Sequence, residues 1–586
     1  MRKIKRVIGY TLGIAMVLIA AIFLLNLHLT KRLERYLRKE LIHRTAEATD
    51  GFYRLSFDNL SISFFKGELT LEGIKLCPDS VVFRDWERKD SLPSVYVTAE
   101  VGMVDFKGLN LTWRRSYKQL HFDSFEIRNP DIQVFNPYYS TRAEVKERKE
   151  AEIKTLYEVV SPYINVLTVR MLNLENASVS YSVENPVSPI VYALNDVSFH
   201  AYGFRLDENS SESGKLLYCD NFDFITKRSQ TLLANNDFRL QTDRILLSTE
   251  DSIISISNIT LTPQGELWGE QKKRPDSYLN ALIRAIEVKG IQFRRENALN
   301  YLTARSLDII SSDIQAFNLA GESLPSAKKT EKKSLNEAEA DSLVRSLSLY
   351  ELISPVLHTV SIGTVGIGQA KLQYSFAVKD KIEVYKLANF DFQANDFRID
   401  SVSETQRGFW YSRGFSFEAT GIEGLMTARN HRFTVKRMTL DTESGDFNLE
   451  RIRLYPLSVC GQNDYMAGSI DTVGIRGLLY DKGISARLLK IDRPNLRYVL
   501  FSSFNKKDVK SVKPANSRVG VESILNPFLR YFSVKRLSLN HAYVTIDDKS
   551  MSDPVTYKLN DFNFFATGIW VNQGEWTVFR LRKYGI

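Results

Sequence analysis

Apolar and polar residues alternate in short segments along most of the chain. Near position 199, for example, Val197, Phe199 and Ala201 alternate with Ser198 and His200. Successive side chains of a β-strand point to opposite faces, so a period of two predicts strands with one apolar and one solvated face. The 34 Phe and 27 Tyr residues also suit such half-buried, pleated surfaces. The pattern therefore predicts a mainly β protein.

One group of these segments occurs three times. Long stretches align without a gap, beginning SPYINVLTVRML at Ser161, SPVLHTVSIGTV at Ser354 and NPFLRYFSVKRL at Asn526. A tyrosine follows 31 residues after each start, at Tyr192, Tyr385 and Tyr557. Agreement at a fixed spacing in three places indicates an internal repeat.

A second group of segments alternates with the first. Its copies run from Leu60 to Pro78, from Ile245 to Pro263 and from Met438 to Pro456. Each is followed by a Lys–Gly or Arg–Gly pair, at Gly108, Gly290 and Gly477. The last copy of the first group reaches Ile586 with no second-group copy after it. We therefore expect either a truncated sequence or a damaged reading frame, with further repeat-like coding sequence beyond this point.

The length and the linkers set the domain organisation. A chain of 586 residues is too long for one compact core. Charged stretches between the copies are expected to be solvated linkers whose apolar ends form short helices over the sheet edges. The predicted segments are a cytoplasmic tail (1–6), a transmembrane anchor (7–30), an amphipathic helix (31–50), an N-terminal β unit (51–139), a linker and helix (140–160), β repeat 1 (161–320), a linker and helix (321–353), β repeat 2 (354–503), a linker and helix (504–525) and a partial β repeat 3 (526–586).

The predicted fold is an elongated, repeated antiparallel β-sheet with short helices at the repeat junctions and one N-terminal transmembrane helix. A one-sided apolar sheet must cover that face with something. In a sandwich the cover is protein, and in an open groove it is a ligand such as a lipid tail. The alternation of residues fits both arrangements equally.

The N-terminal segment is long and apolar enough to cross a bilayer. Residues 7–30 contain no Asp, Glu, Lys or Arg, and about 20 apolar residues suffice for a spanning helix. A cleaved signal peptide is the alternative, but no small-residue cleavage site follows the apolar run. Residues 31–50 then show apolar residues at helical spacing with basic residues between them. This helix is expected either to lie at the membrane interface or to pack on the first β unit.

The orientation of the anchor does not follow from its flanks. Basic residues precede and follow the apolar run. The positive-inside rule therefore does not decide on which side of the membrane the β-rich remainder of the chain lies. The formal net charge of +9 is concentrated in part around this segment, which points to lipid headgroups before nucleic acid. We expect no nucleic-acid partner.

The N-terminal region combines the spanning segment and the helix after it with FYRLSFDNLSISFFKGELTLEGIKL from Phe52 and LHFDSFEIRNPDIQVFNP from Leu120, which includes Pro130. In these features it resembles the AsmA-like family of bacterial envelope proteins, with Pro130 at the expected proline. The resemblance implies an elongated β-groove with an apolar inner face that carries lipid acyl chains. It also implies anchoring in the inner membrane, with the N-terminus cytoplasmic and the body periplasmic.

The sequence contains no recognisable catalytic motif. It contains no HExxH or GxSxG motif, and its cysteines Cys77, Cys219 and Cys460 lie far apart without metal-type spacing. The stretch GTVGIGQ, which begins at Gly363, resembles a phosphate loop, but the repeat places it in a strand. We expect no catalytic residue, cofactor or metal, and no enzymatic activity.

The candidate binding residues are the recurrent apolar positions of the three repeats. Each would contact lipid directly, although a sealed protein core explains any single one equally well. They are Leu194, Val197 and Phe199 in the first copy, Leu387, Phe390 and Phe392 in the second, and Leu559, Phe562 and Phe564 in the third. The expected partner is a membrane lipid, most simply a phospholipid. The alternative is an anchored scaffold that assembles envelope proteins along its sheet edges.

Overall fold

The computed structural model describes residues 30–581 with internal gaps. The gaps are 64–66, 90–91, 94, 115–116, 137–156, 158–159, 162–163, 184–189, 211–214, 234–237, 264–276, 297–298, 319–356, 379–380, 404–410, 459–463, 481–483, 502–530, 551–552 and 573–574. Over the residues described in full, the structure is mainly β, with 77% strand and two short helices, and these strands form a long mixed sheet. The prediction of a mainly β protein is confirmed.

The chain divides into two compact units. Unit 1 comprises Met1–Lys272 and Ile283–Arg305, and unit 2 comprises Lys273–Leu282 and Ser306–Ile586. The first elements of unit 1 are α1 (Thr30–Ala48), β1 (Tyr53–Ser56), β2 (Asn59–Ser63), β3 (Glu68–Pro78), α2 (Ser80–Arg88), β4 (Tyr96–Lys107), β5 (Asn110–Arg114) and β6 (Tyr117–Asn136). They are followed by β7 (Val166–Val183), β8 (Ile190–Leu206), β9 (Asn221–Thr226), β10 (Arg228–Leu233), β11 (Phe238–Thr242), β12 (Arg244–Ser248) and β13 (Ile253–Pro263).

Two strands contribute residues to both units. The connecting elements are β14 (Ser277–Lys289), β15 (Gln292–Glu296) and β16 (Leu299–Asn318). Of these, β14 and β16 have residues in each unit, whereas β15 belongs to unit 1. The remaining strands of unit 2 are β17 (Thr359–Val378), β18 (Lys381–Ile399), β19 (Gly414–Met426), β20 (His431–Asp441), β21 (Asp446–Pro456), β22 (Tyr465–Arg476), β23 (Leu479–Tyr480), β24 (Ile484–Asp492), β25 (Asn495–Leu500), β26 (Tyr531–Asp548), β27 (Val555–Asn572) and β28 (Glu575–Leu581).

The first-group repeat is a long hairpin with the same irregularity in every copy. The hairpins are β7–β8, β17–β18 and β26–β27, and each has a bulge that shifts the register near its middle. The bulge contains a residue of positive φ, namely Asn176 (55°), Gln369 (55°) and His541 (53°). These three residues occupy one position of the predicted alignment, so the repeat is confirmed in the backbone as well as in the sequence.

The second-group repeat also has a recurrent backbone feature. The glycine of each basic–Gly pair has a positive φ: 67° at Gly108, 67° at Gly290 and 63° at Gly477. Glycine adopts this left-handed conformation without strain, which allows an irregularity between two strands, such as β4 and β5, that pair in succession along one partner, β6. At Gly108 a Cβ would also collide with the side chain of Asp123.

The expectation of a purely antiparallel sheet was wrong at the repeat junctions. Strand β7 runs parallel to β6, and β26 runs parallel to both β24 and β25. A parallel pair needs a crossover connection of a dozen or more residues. Residues 137–165 and 501–530 connect these strands, so two of the stretches predicted as linkers join parallel neighbours at the start of repeats 1 and 3.

The predicted amphipathic helix is confirmed and packs on the first β unit. Leu37 and Leu41 of α1 are buried in a cluster with Leu60 and other residues of β2 and β3. On the same side, Arg38 donates hydrogen bonds of 2.8 Å to the carbonyl oxygens of Phe57 and Asp58. Packing on the protein is thus shown, and a position at the membrane interface stays a prediction.

A second helix was not predicted. Directly after Pro78, Asp79 accepts hydrogen bonds from the backbone N–H groups of Val81 and Val82 at 2.9 and 3.3 Å, which begins α2. These bonds lower the pKa of the Asp79 carboxyl. On the inner side of the helix, the Trp86 ring stacks on Phe52 at 4.9 Å. The sequence signal was present, because Asp is a favoured N-cap residue.

Several predicted segments lie outside the described residues. They are the anchor at 7–30, except for its last residue, and most or all of the linkers at 140–160, 321–353 and 504–525. Neither described helix has the length and hydropathy needed to cross a bilayer. At the first junction, Ser161 N donates to Tyr157 O at 2.7 Å and Ile164 N to Val160 O at 3.1 Å. These are helical hydrogen bonds, as expected for a junction helix.

Candidate functional site

Two continuous rows of apolar side chains cross the strands of unit 2. Residues paired across neighbouring strands point to the same face, so the register alone defines each row. The first row is Ile367, Phe392, Phe417, Leu440, Phe447, Ile475, Leu489, Leu537 and Ala566. The second row is Ala370, Phe390, Ala419, Met438, Leu449, Val473, Ile491, Leu539 and Phe564. We call the surface formed by these rows the unit 2 apolar face.

Aromatic rings fill the β17–β20 end of this face. The Phe390 ring lies 6.5 Å from that of Phe392 along the strand and 5.8 Å from that of Phe417 across it. Nearer the strand end, the Phe433 ring lies over Gly424, where any Cβ would collide with it. The glycine thus lets one aromatic ring bridge two strands and keeps the surface smooth.

The large side chains of the unit 2 apolar face are only half-buried. In the first row every residue except Ala566 is partly exposed. At the far end Leu559 is 58% exposed and Phe564 is 38% exposed. Within the described part of unit 2, the extensive contacts between strands join hydrogen-bonded neighbours. The two rows thus form a broad apolar surface whose large side chains are partly accessible to solvent.

Unit 1 has matching rows, but they are covered at two places. One row is Leu69, Phe106, Phe125, Leu172, Ala201 and Phe222, and the next is Leu60, Leu71, Val104, Ile127, Leu174, Phe199, Phe224, Leu247 and Ile254. We call this surface the unit 1 apolar face. Helix α1 covers its β2–β3 edge, and residues Val160 and Ile164 cover the Phe106–Phe125 end.

The nine candidate residues occupy these faces as the repeat predicted. Val197 is buried and pairs with Ala177, whereas Phe199 is half-buried with its ring 5.6 Å from that of Phe222. Leu194 pairs with Val179 in an adjoining row. In unit 2, Phe390, Phe392 and Phe564 belong to the two main rows, and Leu387, Leu559 and Phe562 pair with apolar residues beside them, Leu372, Val544 and Ala542. Whether each contacts lipid or only protein stays a prediction.

The opposite face of unit 2 is polar. The side chains paired across it include Asp391, Glu418, Thr439 and Asn448. Arg437 donates to both carboxylate oxygens of Glu418, at 2.8 and 2.9 Å, and lowers the pKa of that carboxyl. Both partners are well exposed, so the pair adds little stability but keeps this face solvated.

A concave cavity of about 880 Å³ lies on this polar face. Its lining includes Asp308, Asp391, Glu418, Asp441 and Asp446. The glycine-rich stretch that resembled a phosphate loop contributes Gly366 and Gly368 from β17, which confirms its prediction as a strand. A Cβ on Gly366 would lie 3.1 Å from the Asp308 carboxylate. The acidic side chains that line the cavity repel a phosphate, so the cavity does not suit a phosphate ligand.

One polar residue of the apolar side escaped the sequence reasoning. Glu383 lies on β18 and is only 2% exposed. The repeat alignment carried a signal for it, because the equivalent positions in the other copies are Ile190 and Val555. The alternation of apolar and polar residues along one strand does not reveal this carboxylate. It stands out only when the three copies of the repeat are compared.

Comparison with known proteins adds no assignment. No protein-family model matches the chain, and no curated protein matches it significantly in sequence. Among the described residues, no group of three or more His, Cys, Asp or Glu side chains could hold a metal ion. The two apolar faces are therefore the candidate functional site.

Proposed function

We propose that this protein is a membrane-anchored, AsmA-like envelope protein whose apolar sheet face binds lipid and guides it between envelope membranes. The observation that carries the proposal is the unit 2 apolar face, whose rows cross successive strands while their large side chains stay half-exposed. Exposed contiguous apolar patches of this extent on a protein mark a site for an apolar partner. Acyl chains fit a surface that is continuous, aromatic and uncharged.

The proposal includes how the protein is placed. Residues 7–30 anchor it in the inner membrane, with the N-terminus in the cytoplasm and the body in the periplasm. Helix α1 follows the anchor directly and packs on β2 and β3, which would hold the start of the unit 1 apolar face close to the bilayer surface. Lipid could then leave the membrane along the face without crossing water.

The proposed activity is non-enzymatic. Apolar contact supplies the binding energy, at about 25 cal/mol per Å² of surface removed from water. The repeated strands extend the binding surface along an elongated groove, so that a lipid moves between similar sites. Phospholipid is the proposed cargo, and the function is maintenance of outer-membrane lipid.

Photocrosslinking in cells tests this proposal. A photoreactive phenylalanine analogue replaces Phe199, Phe392 or Phe564, and matched controls place it at the adjacent wet-face positions His200, Gln393 and Asn563. We expect lipid adducts, detected by mass spectrometry, at the three apolar positions and none at the controls. Adducts to protein alone at all three apolar positions would refute the groove.

A further inference from the structure

Glu383 lies on the apolar side of unit 2, close to a strand end. It pairs with Phe376 across the β17–β18 hairpin, and Tyr385 and Leu387 follow on the same side of β18. The Phe376 and Tyr385 rings stack in parallel at 5.6 Å beside it. The carboxylate therefore sits among aromatic rings, two residues after β18 begins at Lys381.

The carboxylate of Glu383 has an unused oxygen. Its Oε1 is buried and accepts no hydrogen bond from any described residue. Its Oε2 has one weak donor, the Tyr385 hydroxyl, at 3.4 Å. Lys381, two residues earlier, donates its Nζ hydrogen bond to Thr427 O instead. A buried polar atom without a hydrogen-bond partner is destabilising, so this oxygen calls for a donor from elsewhere.

The other repeats show that the fold does not need a carboxylate here. Ile190 and Val555 stand at the equivalent positions of repeats 1 and 3. An aliphatic residue would satisfy the same backbone without the cost of burying a charge. The glutamate is thus specific to repeat 2, where the apolar face is broad and half-exposed.

We propose that Glu383 binds the ammonium group of an aminophospholipid whose acyl chains lie on the unit 2 apolar face. This inference rests on the proposed lipid-binding function and adds the headgroup class. The hydrocarbon of one leaflet is about 15 Å deep, half of a core about 30 Å thick. At about 3.3 Å per residue, a chain of this length laid along β18 from Glu383 covers Tyr385 and Leu387 and ends before Phe390.

The hydrogen-bonding capacity of the Glu383 carboxylate determines which lipid headgroup it binds. A carboxylate only accepts hydrogen bonds, and a primary ammonium donates up to three. A choline headgroup carries the same charge but has no N–H to donate, and a glycerol headgroup lacks the positive charge. A phosphatidylethanolamine therefore supplies both the charge and the donor that Oε1 lacks, without the additional carboxylate of a serine headgroup.

A lipid-selection assay on the whole chain tests the inference. The protein is incubated with vesicles of phosphatidylethanolamine, phosphatidylcholine and phosphatidylglycerol in equal amounts with identical acyl chains. It is then re-isolated, and the bound lipids are quantified by mass spectrometry. The variants are Glu383→Gln and Glu383→Ile, the residue of repeat 1. The matched control is Glu423→Gln, which removes a carboxylate from the neighbouring strand on the opposite face, where it pairs with Arg432.

The expected result is a preference for phosphatidylethanolamine over phosphatidylcholine of about tenfold in the wild type and in Glu423→Gln. Both Glu383 variants should bind as much total lipid but in the proportions supplied. If the wild type shows no such preference, or both Glu383 variants keep it, this inference is overturned while lipid binding stands. If the wild type binds no lipid at all, the proposed function itself fails.

Discussion

The two apolar faces are built from the same repeat but end in different environments. In unit 1, Phe106 and Phe125 are 3% and 4% exposed, because the segment that contains Val160 and Ile164 packs over them. In unit 2, the fully buried apolar residues are mostly small or aliphatic, as in the cluster of Ala486, Val534, Ala566 and Ile569. The phenylalanines of its two rows stay partly exposed, although Phe415 beside them is buried. One sequence pattern thus makes a core where a covering element packs on it in unit 1 and a partly exposed surface in the rows of unit 2.

The difference separates two roles for similar side chains. A phenylalanine in the covered part of unit 1 contributes to folding, since its removal leaves a cavity. A phenylalanine on the unit 2 apolar face contributes less to folding, since it is already partly hydrated. Its apolar surface remains available to a ligand. Stability and lipid binding should therefore respond oppositely to substitutions in the two places.

The largest expected effect is on the stability of unit 1. Phe125→Ala should destabilise its unit by about 3–5 kcal/mol, the cost of truncating a fully buried phenylalanine. Phe392→Ala in unit 2 should cost only about 1 kcal/mol but reduce the lipid that copurifies with the protein. Hydrogen exchange followed by mass spectrometry measures the loss of protection in each unit separately.

The same experiment contains its own control. Gln393→Ala changes the neighbouring residue on the wet face and should alter neither protection nor bound lipid. Equal destabilisation by Phe125→Ala and Phe392→Ala would mean that the unit 2 apolar face is as well covered as the core of unit 1, and the contrast between the units would be lost.

A smaller effect is expected at the edge covered by α1. Leu41→Ala removes a buried side chain from the cluster with Leu60 and Leu71 and should cost about 2 kcal/mol, the low end for Leu→Ala, because α1 is a peripheral helix. The loss should be local, with faster exchange in α1, β2 and β3 and unchanged exchange in unit 2. His43→Ala, on the exposed side of the helix, is the matched control. Unchanged exchange in Leu41→Ala would show that α1 does not stabilise this edge.

The strands and the repeat could be predicted from the sequence because both depend on local, periodic information. Alternation at Val197, Phe199 and Ala201 predicts which side chains share a face, and the structure places them as predicted. The gap-free alignment even specifies the bulge, although the positive φ at Asn176, Gln369 and His541 has no common residue type to announce it.

The rest depends on long-range information that no local pattern carries. The parallel pairing of β6 with β7 follows from where the next repeat docks, and alternation is the same for parallel and antiparallel neighbours. Helix α2 lies in a region predicted as strands, because a nine-residue helix gives only a short periodic signal. Most of all, alternation identifies an apolar face but not what covers it.

The central claim is that the unit 2 apolar face is open and takes lipid, and spin-label accessibility tests it most directly. After replacement of Cys77, Cys219 and Cys460, a nitroxide is placed at Phe392 or at the adjacent Gln393. Collision rates are measured with oxygen and with a water-soluble nickel chelate, with and without phospholipid. The account predicts that phospholipid shields the label at 392 from nickel and leaves it accessible to oxygen, with no change at 393. A label at 392 that is shielded from nickel to the same degree without lipid would contradict the account.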